Sequence, residues 1–317
     1  MNTIFFNMPE GYDFSPYLAL PLLKAYIENN SKHSVKTIDA SIIYTDYILS
    51  NKFCAEIADS ILKDGINEKK DLFYYAQAKY LSQQIEKTKN CLKSKNTYTD
   101  IEIVYKSLVD IEAVSRTIGY WNKKHCPSDS ISKLSYLVNN ESFTVLGKWL
   151  NSFFKSIDWD KYSVVAFSVS YQKQLIPSLY FANLIKQRFP KKIIVFGGNI
   201  ITHYKREICH DKAFWKYIDY CIFYQGERAL VELFNSIENG NFEYIENVAY
   251  LSNNKLKYEY NEAKLDVGFT IPDFSDIQFD LYLSPYRTIS LLTSKGCYWA
   301  KCKYCSHYTG YGTGYFN

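Results

Sequence analysis

Short apolar runs alternate with longer amphipathic stretches through the first part of the chain. Thr3 to Asn7 is apolar and ends at Met8-Pro9, which predicts a buried strand followed by a loop. Pro16 opens a stretch in which Leu18, Leu22, Leu23 and Tyr26 recur at helical spacing. Pro21 lies early in it, where the first turn of a helix tolerates proline. Val35 to Ile38, closed by Asp39, predicts a second strand. A β-loop-α-β start of this kind opens a doubly wound sheet.

The pattern changes from about Tyr47 to Leu150. Phe73, Tyr74, Ala78, Tyr80 and Leu81 are set among Lys, Gln and Glu, and no proline occurs between Pro21 and Pro127. This predicts several amphipathic helices inserted after the second strand, packing on the sheet or covering a ligand.

Strand signals return at Ser163 to Ser170, an apolar run that ends in small hydroxyl residues. A helix is predicted from about Gln174 to Phe189, closed by Pro190. Ile193 to Phe196 is the next strand and ends at Gly197-Gly198; Ile218 to Phe223 is another and ends at Gln225-Gly226-Glu227, with a helix over Ala229 to Ile237. Alternation of this kind predicts an α/β fold, a Rossmann-like, mostly parallel sheet covered on both faces. Such sheets bind ligands at the carboxyl ends of their strands. The candidate lining is therefore Pro9, Asp39, Ser168, Ser170, Gly197, Gly198, Gly226 and Glu227. Each has a plainer reading: paired glycines make tight turns needing positive φ, and Glu227 suits the positive end of a helix dipole. No G-x-G-x-x-G follows the first strand, which disfavours an ordinary nicotinamide site.

Asn247 to Tyr260 alternates around Asn253-Asn254, as a β-hairpin does. A loop containing Pro272 and Pro285 leads to Thr288 to Thr293, read as a last strand running into a cysteine cluster. These signals divide the chain into a sheet domain over residues 1–265 and a second unit over 266–317, with the boundary between Asp266 and Pro285.

Composition narrows the classes. In 317 residues there are 30 Tyr and 20 Phe against 13 Gly and 8 Pro, which favours ordered elements. The formal charge of +4 is spread over many Lys and Glu residues and gives no reason to invoke nucleic acid. Met1 to Asp13 lacks the pattern of a signal peptide, and the longest apolar runs are too short to span a bilayer, so a cytoplasmic protein without a membrane partner is expected. Of eight cysteines, Cys54, Cys91, Cys126, Cys209 and Cys221 are scattered and read as small buried hydrophobes.

The other three cluster in Gly296-Cys297-Tyr-Trp-Ala-Lys-Cys302-Lys-Tyr-Cys305-Ser-His307. Three thiols within nine residues can curl round one inorganic centre. A structural zinc needs a fourth ligand, and the local candidate is His307, at a tighter spacing than zinc histidines usually show. The spacing also matches plant-type 2Fe-2S ferredoxins, which need a further downstream cysteine that this sequence does not contain. Three thiolates suit a 4Fe-4S cluster with one iron open to an outside ligand.

The segment resembles the cluster motif of the radical S-adenosylmethionine superfamily, with the aromatic Tyr304 before the last cysteine. The commonest spacing there puts three residues between the first two cysteines; this chain has four, Tyr298 to Lys301, as in a variant found among subfamilies that modify peptides. The predicted sheet domain, with Gly197-Gly198, Gly226-Glu227 and the hairpin, is similar to the cobalamin-binding domain that precedes the radical domain in many members.

The resemblance implies that Cys297, Cys302 and Cys305 each ligate one iron and that the fourth iron binds S-adenosyl-L-methionine through its amino and carboxylate groups. It implies Tyr304 beside the adenine, reductive cleavage to methionine and a deoxyadenosyl radical, and cobalamin-dependent methylation or peptide modification as outcomes. Cobalamin is implied as a further ligand of Ser168, Ser170, Gly197, Gly198, Gly226 and Glu227, without the Asp-x-His-x-x-Gly string that supplies histidine to cobalt. No catalytic side chain is assigned. The family's chemistry takes place in a β/α barrel of about 250 residues, whereas about 30 follow Thr288, so only the start of such a barrel is expected. A truncated product, a split enzyme completed by a second chain, and a non-catalytic binding module stand as alternatives, beside a structural zinc protein.

Overall fold

A computed structural model describes residues 1–10, 14–126, 134–240, 245–253, 255–258, 270–293, 295–297, 299, 301–305 and 314–316. The chain opens with strand β1 (Asn2–Asn7), helix α1 (Ala19–Asn30) and strand β2 (Ser34–Asp39). Six helices follow: α2 (Ala40–Ile48), α3 (Asn51–Lys63), α4 (Lys69–Lys93), α5 (Ile101–His125), α6 (Leu134–Asn140) and α7 (Val145–Lys155). The sheet resumes with β3 (Val164–Ser168), α8 (Leu175–Arg188), β4 (Ile193–Gly197), α9 (Asn199–His203), α10 (Lys205–His210), β5 (Tyr220–Ile222) and α11 (Gly226–Asn239). The hairpin β6 (Val248–Ser252) and β7 (Lys255–Lys257) ends the sheet, and β8 (Lys295–Cys297) and β9 (Gly314–Phe316) form a separate ribbon.

The seven-stranded sheet has the order β2-β1-β3-β4-β5-β6-β7. Its first five strands are parallel, and β6 and β7 are added antiparallel around the turn at Asn253, whose φ is 50°. The expected doubly wound α/β fold is thus present. Every residue of β3 is buried, because a parallel strand with helices on both faces has no solvent side. Ile4, Phe6, Val165, Phe167, Ile194 and Phe196 point to the face covered by α7 and α8. Their alternates Phe5, Val164, Ala166 and Val195 point to the face covered by α1 and α11.

The insertion builds a core of its own. Phe53, Ile57 and Ile61 of α3 pack with Leu81 and Ile85 of α4 and with Val114 and Trp121 of α5. Its later helices join the core of the sheet instead, through Val138 of α6 and Trp149 and Leu150 of α7. The side chains of Asp39, Ser50 and Asp100 accept hydrogen bonds from the first turns of α2, α3 and α5, supplying partners that helix amino ends lack. Among the described residues no helix is long and apolar enough to cross a membrane.

The described part of the proline-containing loop, 270–285, lies against the sheet domain. The Asp276 carboxylate accepts from Thr37 N at 2.9 Å and pairs with Lys24 and Lys36 at 3.0 and 2.6 Å, which caps the open edge of β2. Tyr282 is buried beside Asp39, and Leu283 enters the core of the insertion. The strand expected over Thr288–Thr293 does not form. These residues join no ladder, and Ile289, Leu291 and Leu292 are exposed. Their β-branched and apolar composition favours a strand, but a strand needs a neighbour to pair with.

Candidate functional site

A cleft of about 290 Å³ opens at the carboxyl ends of the strands, on the face covered by α1 and α11. Five of the candidates, Ser168, Gly197, Gly198, Gly226 and Glu227, line it. Its walls are mainly apolar, with Phe5, Leu23, Val195, Ile222 and Leu230 around a few polar groups.

Each of these residues reaches the cleft for an identifiable reason. Ser168 ends β3 and is 6% exposed, so little but its hydroxyl edge meets the cleft. Gly197 ends β4, and a Cβ there would meet Ile222 O at 3.6 Å, an ordinary contact; its bare backbone leaves floor space rather than relieving a clash. Gly198 differs. Its φ is 106°, and a Cβ would lie 2.5 Å from Val169 O, because the ends of β3 and β4 close on one another through Val169 N–H to Gly197 O at 2.8 Å. The plainer reading of a glycine turn holds for this position. Gly226 begins α11 and fits between Leu23 and Leu230. Glu227 is 5% exposed in the first turn of α11, near the positive end of the dipole. A carboxylate in the wall works against an anionic ligand at this helix end.

Ser170 is not in the wall, which corrects the expectation. Its Oγ donates a short hydrogen bond to the Oη of Tyr17, and Tyr17 lines the cleft, so Ser170 acts one contact removed. Asp39 lines a second space of about 260 Å³, with Ile4, Ile42 and Phe153, rather than this cleft. Pro9 is buried outside the cleft. Asp39, 8% exposed, accepts from Ser41 N at 3.1 Å, Asn7 Nδ2 at 3.0 Å and Tyr282 Oη at 2.7 Å. Burial raises its carboxyl above the usual range, against those hydrogen bonds.

The crevice between β1 and β3, where the strand order reverses, is filled by protein. Gln174, fully buried, donates from Nε2 to Asn7 Oδ1 at 2.9 Å and to Met8 O at 2.6 Å. Its Oε1 accepts from the N–H groups of Ser170 and Tyr171 at 2.9 and 3.1 Å. The site that doubly wound sheets usually offer is therefore plugged, and open space lies beside it on the α1 and α11 face.

Sequence reasoning missed Tyr17, Tyr224, Gln225 and Leu292, all in the wall. Gln225 Oε1 is buried and has no hydrogen-bond partner among the described residues, so it is an acceptor available to a ligand in the cleft. Tyr224 holds a positive φ of 60°, and its N–H donates to Thr202 Oγ1 at 2.7 Å. Its position between β5 and Gln225-Gly226 was the available signal. Leu292 had none, since it comes from 62 residues beyond Leu230, another wall residue.

The three cysteines are carried by β8 and the chain after it. Cys297 ends β8, and the Cys305 N–H donates to Cys302 O at 3.3 Å, forming a tight turn between the second and third thiols. All three are half-buried. Among the described residues no three Cys, His, Asp or Glu side chains are gathered closely enough to hold a metal ion. His307 lies outside the described residues. Tyr304 is 93% exposed. The donor set fits a thiolate-bound centre: three soft ligands, each reachable by solvent, with two held by one turn.

No family model matches the sequence, and no curated protein matches it. Among solved structures, the chain is similar to a radical S-adenosylmethionine methyltransferase, TsrM, from Kitasatospora setae, determined with a tryptophan substrate and the SAM analog aza-SAM bound. The TM-score is 0.34 at 11% sequence identity, and the match covers 80% of this chain and 29% of the other. The chain thus spans less than a third of that neighbour's length.

Proposed function

We propose that this chain is an iron–sulfur protein of the radical S-adenosylmethionine type, holding a 4Fe-4S cluster through Cys297, Cys302 and Cys305. The observation that carries the reading is the donor set: three thiols within nine residues. Three thiolates leave one iron of a four-iron cluster without a protein ligand, and that vacancy is what S-adenosylmethionine chelation requires. The cluster, when bound and reduced, supplies the electron that cleaves S-adenosylmethionine.

The chain's own residues supply placement. A backbone turn joins Cys302 and Cys305, and Cys297 ends β8. Tyr304, exposed between them, is the residue proposed to lie beside the adenine. In the cleft, apolar walls, the bare floor at Gly197 and the Ser168 hydroxyl suit a flat, weakly polar ring. Its volume of about 290 Å³ takes one such ring system, the size of the heterocyclic tail of cobalamin rather than the whole molecule, and cobalamin is the ligand proposed there. Methyl transfer or peptide modification is the proposed outcome, with a small molecule or peptide as substrate and the remaining contacts supplied by further chain or a second polypeptide.

Anaerobic reconstitution with iron and sulfide tests the reading: it is expected to load about four irons per chain, and alanine at any one of the three cysteines to abolish stable loading. A second reading is a structural zinc site, with Cys297 on the antiparallel β8–β9 ribbon and Cys302 and Cys305 joined by a backbone turn. Metal analysis of the same preparation separates the two.

A further inference from the structure

The loop that leaves the sheet domain is pinned and then released. Tyr282 and Leu283 are buried, 3% and 1% exposed. From Tyr286 the chain runs without helix or ladder, and Tyr286, Arg287, Ile289 and Leu291 are exposed. Its hydrogen bonds within this stretch are local, Tyr286 N to Ser284 Oγ at 3.3 Å and Thr288 Oγ1 to Tyr286 O at 3.4 Å. Leu292 then joins the wall of the cleft with Ser168, Gly197 and Leu230. Cys297 follows five residues later, and five residues span at most about 17 Å. The only described side chain of this strap that belongs to the cleft is thus next to the cysteine loop.

We infer that residues 284–293 form a strap that latches onto the cleft through Leu292 and so places the cysteine loop beside whatever the cleft holds. Leu292 is 46% exposed over an apolar space that retains about 290 Å³ with Leu292 in its wall, so a ligand fits beneath the latch rather than replacing it. A ring in the cleft buries more of Leu292 and holds the strap more tightly. By linkage, a held strap holds the ligand more tightly. The inference takes the cleft as a ligand site, as proposed above. It adds that the strap is held to the cleft by Leu292, a residue that belongs to neither motif.

Limited proteolysis of the full chain tests this. Arg287 is 75% exposed in the strap, and trypsin cleavage after it is read by mass spectrometry. Where cutting follows the population of the open strap, Leu292→Ser is expected to speed it about fivefold without any ligand, the effect of losing part of a leucine's burial. Leu291→Ser, next to it and outside the cleft wall, is expected to leave the rate as in the wild type, and Leu292→Met to restore slow cutting. Equal rates for Leu292→Ser and Leu291→Ser overturn the inference. In a second arm, hydroxocobalamin is added and its binding is followed separately by co-elution of its visible absorbance. Bound hydroxocobalamin is expected to slow the cut in the wild type and not in Leu292→Ser; binding without slowing overturns the inference. If hydroxocobalamin does not bind, the cobalamin reading of the cleft fails, and the ligand-free comparison decides the latch alone.

Discussion

Tyr282 donates a hydrogen bond from its Oη to Asp39 Oδ2 at 2.7 Å, across 243 residues of chain. The contact begins a buried line of polar side chains. Asp39 accepts from Asn7, and Asn7 accepts from Gln174, which fastens the loop after β3. The line therefore ties the loop leading to the cysteines to the carboxyl ends of β2, β1 and β3. It also fills the reversal point of the sheet.

Tyr282→Phe removes that donor while keeping the ring. The expected loss is about 1–2 kcal/mol of unfolding free energy, because Asp39 keeps its other donors. Chemical denaturation measures it. An unchanged midpoint would show that the loop is not held through Asp39.

The two neighbouring glycines are expected to separate. Gly198→Ala puts a methyl 2.5 Å from Val169 O at a φ of 106°, and is expected to cost about 2 kcal/mol or more. Gly197→Ala meets nothing closer than 3.6 Å and is expected to be stable while narrowing the cleft floor. Thermal melts of both variants, paired with hydroxocobalamin titration of Gly197→Ala, check the distinction; equal melting temperatures would contradict it.

Glu141 supplies a pH dependence whose sign is opposite to that of most carboxylates. Burial, helped by the nearby Glu10 and opposed by the Thr144 hydrogen bond, pushes its carboxyl up to about 7. The folded chain then binds this proton more tightly than the unfolded chain does. The associated stability is present below the ordinary carboxylate range, near pH 4.5, and is lost as pH rises towards 7. Glu141→Gln keeps an acceptor for Thr144 Oγ1 and removes the charge. It is expected to be more stable than wild type above pH 7, by up to about 3 kcal/mol, and to lose this advantage by pH 4.5. Parallel denaturation curves at the two pH values give the result.

The sheet was legible because its strands are buried on both faces and read as short apolar runs between helical spacings, as Val164 to Phe167 and Ile193 to Phe196 do. The cleft was half legible. Gly197, Gly226 and Glu227 stand directly after strands, where the fold class puts ligands. Gln174 and Leu292 were not legible, since a buried glutamine plugging a crevice and a leucine arriving from a distant loop are tertiary facts with no local spacing. Thr288 to Thr293 misled for a related reason: its residues favour strand, but pairing depends on a neighbour that local sequence does not reveal.

The proposed cluster at Cys297, Cys302 and Cys305 stands or falls on metal content. Iron, acid-labile sulfide and zinc, measured per chain on anaerobically reconstituted wild type and on the Cys297→Ala, Cys302→Ala and Cys305→Ala variants, test it most directly. The account predicts about four irons with matching sulfide in the wild type and no stable cluster in any variant. One tightly held zinc without sulfide, or a cluster that survives loss of one of these thiols, would contradict it.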